Sequence, residues 1–234
     1  MLGLEGIASA LVVAPHGDDE VLGAGGLIYR LVQSGAAVHV VFLAVDGSEH
    51  YGLGYRTTLA DRHKEIESAA RFLGFSYQIV FDGIQRLERL DTVPLREIVD
   101  VLQSEFDSRR PDLVLLPEGS DYDQDHRACF SAGLAATRPM PVWTGKHMAR
   151  VVLTYEMPKL TWVRAFQPQL YFELSDEALN AKLRAVSLYT SQLRAAPHIR
   201  SLDTLRALAQ LRGSEAGLAH AESFGVRRWL IANR

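Results

Sequence analysis

The sequence predicts an α/β fold in which a mostly parallel β-sheet is flanked by helices. Over the first two thirds of the 234 residues, short continuous apolar runs alternate with longer amphipathic segments. Continuous apolar runs are typical of parallel strands that are buried on both faces, and regular strand–helix alternation places helices on those faces. After about residue 145 this alternation ends, which predicts a C-terminal α+β elaboration.

The predicted elements of the first part follow one another as strand and helix. Strands are predicted at 10–14, 37–45, 77–81 and 112–117. Helices are predicted at 19–33, 57–74, 93–111 and 124–137. Gly74 suits the end of the second helix, and Pro94 and Pro111 suit the first turn and the end of the third.

The second part is less regular. Strands are predicted at 150–158 and 168–174, helices at 175–192, 201–213 and 214–224, and a last strand at 227–232. The segment 138–146 is the best linker candidate, but it is short. We therefore expect residues 1–234 to form a single domain, with a Rossmann-like core at 1–145 and the elaboration at 146–234.

The composition is that of an ordinary globular protein, with 47% hydrophobic residues and a net charge of −3. Basic residues are scattered and slightly outnumbered by acids, so nothing indicates a nucleic-acid-binding face. The longest apolar runs, of about ten residues, are too short to span a membrane, and the start of the chain lacks a cationic signal-peptide segment. The one cysteine, Cys129, is expected in the core and favours a reducing, cytoplasmic location.

Two acidic loops are predicted at the same edge of the sheet. "PHGDDE" (15–20) follows the first strand and "PEGSDYDQDH" (117–126) follows the fourth. Ligands of open parallel sheets bind beyond the carboxyl ends of the strands, so both loops lie where such a fold binds them. Repulsion between neighbouring carboxylates needs a cation, water or a helix N-terminus to offset it.

The residue types in these loops indicate a catalytic zinc site. His16 and Asp19 are three residues apart, and His126 lies at the start of the helix after the fourth strand. A His/Asp/His set leaves a position open beside the three ligands, as in catalytic rather than structural zinc sites. Asp18 and Asp125 then remain as a base beside the metal and as a partner that orients a ligand imidazole. The alternative is that the acids at 18–20 only cap a helix.

These motifs resemble those of the PIG-L / LmbE-like zinc N-deacetylases, which remove acetyl groups from N-acetylglucosamine-type sugars and their conjugates. The family's first motif, (A/S)-H-P-D-D-E, is similar to "APHGDDE", with one residue inserted before His16 and Gly17 in the place of proline. The second, H-x-D-H, is similar to "DQDH" (123–126). The helix "RHKEIESAARFLG" and the late segment "GLAHAESFGVR" extend the resemblance over most of the chain.

The resemblance implies a role for each matching residue. It implies metal ligation by His16, Asp19 and His126, with Zn²⁺ as the expected ion and another divalent metal such as Fe²⁺ left open. Asp18 is implied as the general base and Asp125 as the partner of a histidine. Arg62 is implied to reach toward substrate hydroxyls.

One position departs from the family pattern. The family's histidine that stabilises or protonates the tetrahedral intermediate is Asp123 here, and an ionised aspartate accepts hydrogen bonds but donates none. The proton for the leaving amine is then expected from Asp18, or from His220 or Tyr122. Asp123 could instead bind a substrate hydroxyl or amine.

Two other classes of function stay open at this point. Asp123 leaves open a catalytically impaired sugar- or metal-binding homologue. A nucleotide-binding enzyme is the third reading, but "GAGG" (23–26) lacks the G-x-G-x-x-G spacing, and these glycines are expected to let the first helix pack closely. The aromatic residues at 161–172 could line a sugar pocket, belong to the core or form a subunit contact, so a homo-oligomer also stays open.

Overall fold

The computed structural model describes residues 6–50, 55–84, 89–158 and 163–231. Seven strands form the main sheet: β1 (Ser9–Ala14), β2 (Ala37–Val45), β5 (Ser76–Asp82), β6 (Leu113–Pro117), β7 (Val151–Tyr155), β8 (Leu170–Glu173) and β9 (Ala221–Trp229). Two further strands, β3 (Ser48–His50) and β4 (Tyr55–Thr57), pair antiparallel as a separate ribbon. The helices are α1 (Asp19–Gln33), α2 (Leu59–Leu73), α3 (Leu95–Arg109), α4 (Gln124–Ala136), α5 (Asp176–Leu188) and α6 (Leu202–Glu215).

The main sheet has the order β5-β2-β1-β6-β7-β9-β8. Strands β5, β2, β1, β6 and β7 are mutually parallel, and β9 runs antiparallel to both β7 and β8. The predicted fold class, a mostly parallel sheet flanked by helices, is confirmed. After β1, the chain adds β2 and β5 on one side of β1. It then adds β6 on the other side. The crevice for a ligand is therefore expected between the carboxyl ends of β1 and β6.

Both faces of the sheet are covered, which explains the continuous apolar strands. Alternate residues of β1 belong to different cores: Val12 packs with α1, α2 and α5, and Val13 packs with α3 and α4. Cys129 is fully buried in the second core, as expected. Among the described residues, no helix combines the length and apolar character needed to cross a bilayer.

The glycines of α1 allow close packing, as the sequence predicted. A Cβ at Gly23 would lie 2.2 Å from the ring of Tyr155, and one at Gly26 would lie 2.4 Å from the Leu174 side chain. The helix is interrupted at Ala24, where φ is −140°.

The prediction of a helix at 214–224 is wrong. Helix α6 ends at Glu215, and β9 begins at Ala221 and continues to Trp229. Sheet pairing with β7 and β8 overrides the helical pattern of this Ala- and Glu-containing stretch. The reversal is tight, since a Cβ at Gly213 would lie 2.7 Å from the backbone of Ala219. The ribbon of β3 and β4 was not predicted, and residues 161–162 of the aromatic segment lie outside the described residues.

Candidate metal centre and active site

The two acidic loops meet beyond the adjacent carboxyl ends of β1 and β6. Asp19 is the first residue of α1 and His126 lies in the first turn of α4, so two helix N-termini point at the same region. Asp123 caps the N-terminus of α4, because its side chain accepts a hydrogen bond from the Asp125 amide at 2.9 Å. Asp18 precedes α1 but makes no capping hydrogen bond with its side chain. Simple capping therefore explains Asp123 better than it explains Asp18.

The three predicted metal ligands converge. His16 Nδ1 and His126 Nε2 each lie 3.4 Å from Asp19 Oδ2. One ligand atom from each of the three residues lies within 4.8 Å of the other two, and the imidazole rings are 5.6 Å apart at a tilt of 50°. Two nitrogens and one oxygen around a common point are a donor set suited to a divalent transition metal.

The second nitrogen of each imidazole faces a buried carboxylate. His16 Nε2 lies 2.9 Å from Asp125 Oδ2, and His126 Nδ1 lies 2.9 Å from Asp121 Oδ2. The remaining oxygen of Asp125 accepts a hydrogen bond from the Leu90 amide at 2.8 Å. Carboxylates in these positions fix the tautomer and orientation of ligand imidazoles, so the geometry suits metal-ligating histidines.

Asp121 was missed by the sequence analysis. It is 1% exposed, and its other oxygen accepts a hydrogen bond from the Asp123 amide at 3.0 Å. The loop offers several acids in a row, and their spacing does not reveal which one turns inward. The sequence analysis assigned a carboxylate partner to one histidine only. A metal-ligating imidazole usually has such a partner, so the same requirement applied to His126 would have pointed to a second buried acid.

The charges at the site favour a bound cation. Burial opposes the ionisation of Asp19, but the His126 and His16 imidazoles hold its pKa well below the usual range. Burial also disfavours the charged form of His16, but hydrogen bonds with Asp125 and Asp19 raise its pKa to about 10. The carboxylates therefore concentrate negative charge around the three converging donors.

Asp18 lies beside this group in a strained conformation. It has a φ of 126°, and its amide donates a hydrogen bond to Glu20 Oε2 at 3.2 Å. The fully buried Glu20 in turn accepts a hydrogen bond from the Tyr189 hydroxyl at 2.5 Å, and burial raises the pKa of Glu20 to about 8. Asp18 Oδ2 is buried without a hydrogen-bond partner among the described residues, and Arg200 lies 3.7 Å from it.

Arg62 is held inside the protein. Its guanidinium donates hydrogen bonds to Glu65 at 2.7 Å, to Ser191 at 3.0 Å and to the Gly17 carbonyl. Gly17 also fits closely under α2, since a Cβ there would lie 2.9 Å from Ile66. Arg62 thus joins α2 to the loop after β1. Its binding of substrate stays a prediction.

Tyr122 and His220 occupy different surroundings. Tyr122 is half-exposed in the loop between Asp121 and Asp123, next to the converging side chains. His220 lies in the turn before β9, with Nδ1 3.7 Å from Asp176 Oδ1. Their roles toward substrate stay predictions.

A family model matches residues 11–137, more than half of the chain, and describes the PIG-L family of GlcNAc-PI de-N-acetylases. The chain belongs to this family. The resemblance inferred from the two acidic motifs is thereby confirmed. Together with relatives that are named deacetylases, the family identifies this member as a hydrolase of N-acetyl amide bonds.

Similar proteins match 77% or more of this chain. It is 28% identical over 231 residues to the diacetylchitobiose deacetylase of Thermococcus kodakarensis, a match that covers 94% of this chain and 83% of the relative. It is 27% identical over 186 residues to the uncharacterized deacetylase YaiS of Escherichia coli, covering 77% and 90%. The 4-carboxy-2-hydroxymuconate hydratase GalB from Pseudomonas putida has the same fold, with a TM-score of 0.75, 20% identity and coverage of 97% and 99%.

Proposed function

We propose that the protein is a zinc-dependent hydrolase that removes the N-acetyl group from an N-acetylglucosamine-type amino sugar or its conjugate. The observation that carries the proposal is the convergence of His16, Asp19 and His126, with the carboxylate of Asp18 beside them. The fold alone does not select this chemistry, since a hydratase shares it. Support for the amino sugar comes from the diacetylchitobiose deacetylase relative.

His16, Asp19 and His126 would hold the metal, and Asp125 and Asp121 would orient the two imidazoles. A divalent cation held there supplies a Lewis acid, which lowers the pKa of water and polarises a carbonyl oxygen. Zinc suits the two nitrogens and one oxygen, and metal analysis of the purified protein separates it from Fe²⁺.

Asp18 would act as the general base. Its buried oxygen has no hydrogen-bond partner among the described residues, so it is free to accept a proton from the attacking water. The hydrogen bond from its amide to Glu20 fixes the backbone that directs this oxygen. The proton then passes to the nitrogen of the leaving amine as the C–N bond breaks, through Asp18 itself, Tyr122 or His220.

The remaining residues would contact the sugar or support those that do. Asp123 uses one oxygen as the cap of α4, and we assign its other oxygen to a substrate hydroxyl or to the product amine. Tyr122, at the exposed side of the loop, would pack against the sugar. Arg62 would act on substrate through the Gly17 loop that it holds. The single, buried Cys129 suits a reducing, cytoplasmic location.

The test is the variant Asp18→Asn, which keeps the size of the side chain and removes the base. The zinc content should be unchanged, while the release of free amine from a panel of N-acetylglucosamine conjugates should fall by about 10²–10⁴-fold. Asp203→Asn, on an exposed position of α6, is the control and should behave as the wild type. Full activity of Asp18→Asn would refute the base assignment.

The same assay tests a second candidate, a catalytically impaired homologue that binds sugar and metal. Asp123 favours it, because this carboxylate cannot donate the hydrogen bond that a histidine would donate. Binding of zinc and N-acetylglucosamine by the wild type without any release of amine would establish this alternative.

A further inference from the structure

The loop at 189–201, between α5 and α6, lies against the candidate active site. Tyr189 reaches Glu20 from its start, and Ser191 donates a hydrogen bond to Glu65 at 2.8 Å. Near its end the loop carries Arg200, whose amide donates a hydrogen bond to His198 Nδ1 at 3.0 Å. The loop is therefore anchored to the site at its start, and near its end it places the positive charge of Arg200 beside the site.

The guanidinium of Arg200 faces the reacting side of the site. Nη1 lies 3.7 Å from Asp18 Oδ2, and its charge also acts on Asp19, Tyr122 and Asp123. The Arg200 side chain is 36% exposed, against 5% for Asp18. Arg200 thus lies between the buried carboxylate of Asp18 and solvent.

The guanidinium of Arg200 has N–H groups that make no hydrogen bond within the described part of the chain. Among the described residues, its side chain makes one hydrogen bond, from Nη1 to Gln192 Oε1 at 2.5 Å, and a guanidinium carries five N–H groups. The separation from Asp18 is that of an ion pair without a hydrogen bond. A second nearby cation, Arg62, is buried and donates to Gly17, Glu65 and Ser191. Arg200 is therefore better placed than Arg62 to meet a substrate.

Amide hydrolysis requires such a group. Negative charge develops on the acyl oxygen in the transition state, and fixed donors aimed at that oxygen lower the barrier. The side chains on which the Arg200 charge acts are mostly acidic, and Asp123 repels rather than stabilises a developing oxyanion.

We propose that Arg200 is a catalytic residue whose guanidinium donates hydrogen bonds to the acyl oxygen of the substrate as its negative charge develops. The proposal rests on the proposed function. In the reaction, water adds to the acyl carbon, the C–N bond breaks, and both protons of the water end on the leaving nitrogen, giving acetate and a protonated amine. Arg200 stays protonated throughout and supplies only charge and donors.

The first test compares Arg200→Ala and Arg200→Lys with Arg206→Ala, which removes an exposed positive charge from α6. Arg200→Ala should lose about 100-fold in kcat, with little change in KM, and Arg200→Lys should recover part of the loss. Added guanidinium should raise kcat of Arg200→Ala and leave the wild type and Arg206→Ala unchanged. Thermal unfolding of each variant verifies that the loop still folds.

Two results of this test would overturn the proposal. Unchanged kcat in Arg200→Ala would remove Arg200 from the reaction. A rise in KM alone, confined to substrates with an anionic substituent, would make Arg200 a reader of that substituent.

A second test does not depend on turnover. Acetate, the product that carries the acyl oxygens, is titrated into the zinc-loaded protein by calorimetry. Arg200→Ala should weaken acetate binding about tenfold or more, also in the Asp18→Asn background, if Arg200 touches the acyl group. An effect that vanishes in that background would mean that Arg200 acts only through Asp18. If the wild type releases no amine from any sugar, the proposed function fails, and equal acetate affinity in the wild type and Arg200→Ala then overturns the Arg200 proposal separately.

Discussion

Asp18 has a backbone conformation that L-amino acids rarely adopt, with a φ of 126°. Such strain persists only where the surroundings enforce it, and it is concentrated at functional sites. Here the enforcement comes from Glu20, which accepts the Asp18 amide, and from Tyr189, which donates to Glu20. Glu20, the third acid of the "DDE" run, therefore supports Asp18, the first. Its burial is explained by this role, because it holds the backbone that directs the Asp18 carboxylate.

Asp121 provides a prediction at the level of one residue. Asp121→Asn removes the negative charge that faces His126 Nδ1 at 2.9 Å. The new amide can also turn its NH2 group, a donor, toward the ring nitrogen in place of an acceptor oxygen. Substitution of a carboxylate that orients a ligand imidazole typically lowers metal affinity by 10–100-fold. We expect zinc affinity, measured by competition with a chromophoric chelator, to fall within that range.

The control for this variant lies in the same loop. Asp123→Asn keeps an N-cap oxygen for the Asp125 amide and removes the same charge from a residue that faces no ligand imidazole. Its zinc affinity should stay close to that of the wild type. Equal losses in both variants would mean that loop charge in general, rather than the Asp121–His126 contact, sets the affinity.

Helix α1 shows at the level of an element why "GAGG" is not a nucleotide loop. Gly23 faces Tyr155, whose hydroxyl donates to the Val13 carbonyl at 2.9 Å, so the helix backbone sits directly on the sheet. A methyl group at Gly23 would lie 2.2 Å from the Tyr155 ring. Gly23→Ala should lower the free energy of unfolding by about 1–3 kcal/mol through overpacking, as measured by urea denaturation.

Gly25 offers the matched comparison within the same run. A Cβ there would lie 3.1 Å from Lys182 Cγ, a contact that a shift of a few tenths of an ångström relieves, and alanine favours a helix over glycine by about 1 kcal/mol. Gly25→Ala should therefore cost much less than Gly23→Ala. A reversed order would show that the helix, rather than its contact with the sheet, limits the tolerance.

The elements were predictable where burial on both faces leaves a periodic trace in the sequence. Continuous apolar runs gave β1, β2 and β6, and the ends of β1 and β6 gave the position of the proposed metal ligands. Local pattern was insufficient at 214–224, because the partners that make β9 a strand are β7 and β8, distant in sequence. Asp121 escaped for a similar reason, since only tertiary packing turns one acid of a loop inward.

At the scale of the whole molecule, the C-terminal elaboration is tied to the first part by buried charge. Glu222 of β9 accepts hydrogen bonds from the amides of Gly26 and Leu27, at 2.9 and 2.8 Å, and from Lys182 Nζ of α5 at 2.7 Å. These amides follow the break in α1 at Ala24, so a β9 side chain caps the second half of that helix. We propose on this basis that both parts form one domain.

Substitution of Glu222 tests this connection. Lys182 is 6% exposed as a residue. Glu222→Ala would leave its ammonium without this partner and two helix amides without this acceptor. Breaking a buried ion pair by removing one member costs about 3–5 kcal/mol. Urea denaturation should show a loss of that size, while removal of Glu67 from its exposed pair with Arg71 should have little effect.

The same denaturation curves decide whether the loss belongs to the whole molecule. The tryptophans are residues 143, 162 and 229, so the fluorescence of two of the three reports on the C-terminal elaboration, and Trp143 is 85% exposed. Far-UV circular dichroism follows the helices of both parts. If Glu222 joins one cooperative unit, both signals must shift together in Glu222→Ala, because a two-state transition gives coincident curves for different probes. A fluorescence transition that moves while the circular dichroism transition stays would instead divide the chain into two units, with the proposed metal ligands in the first.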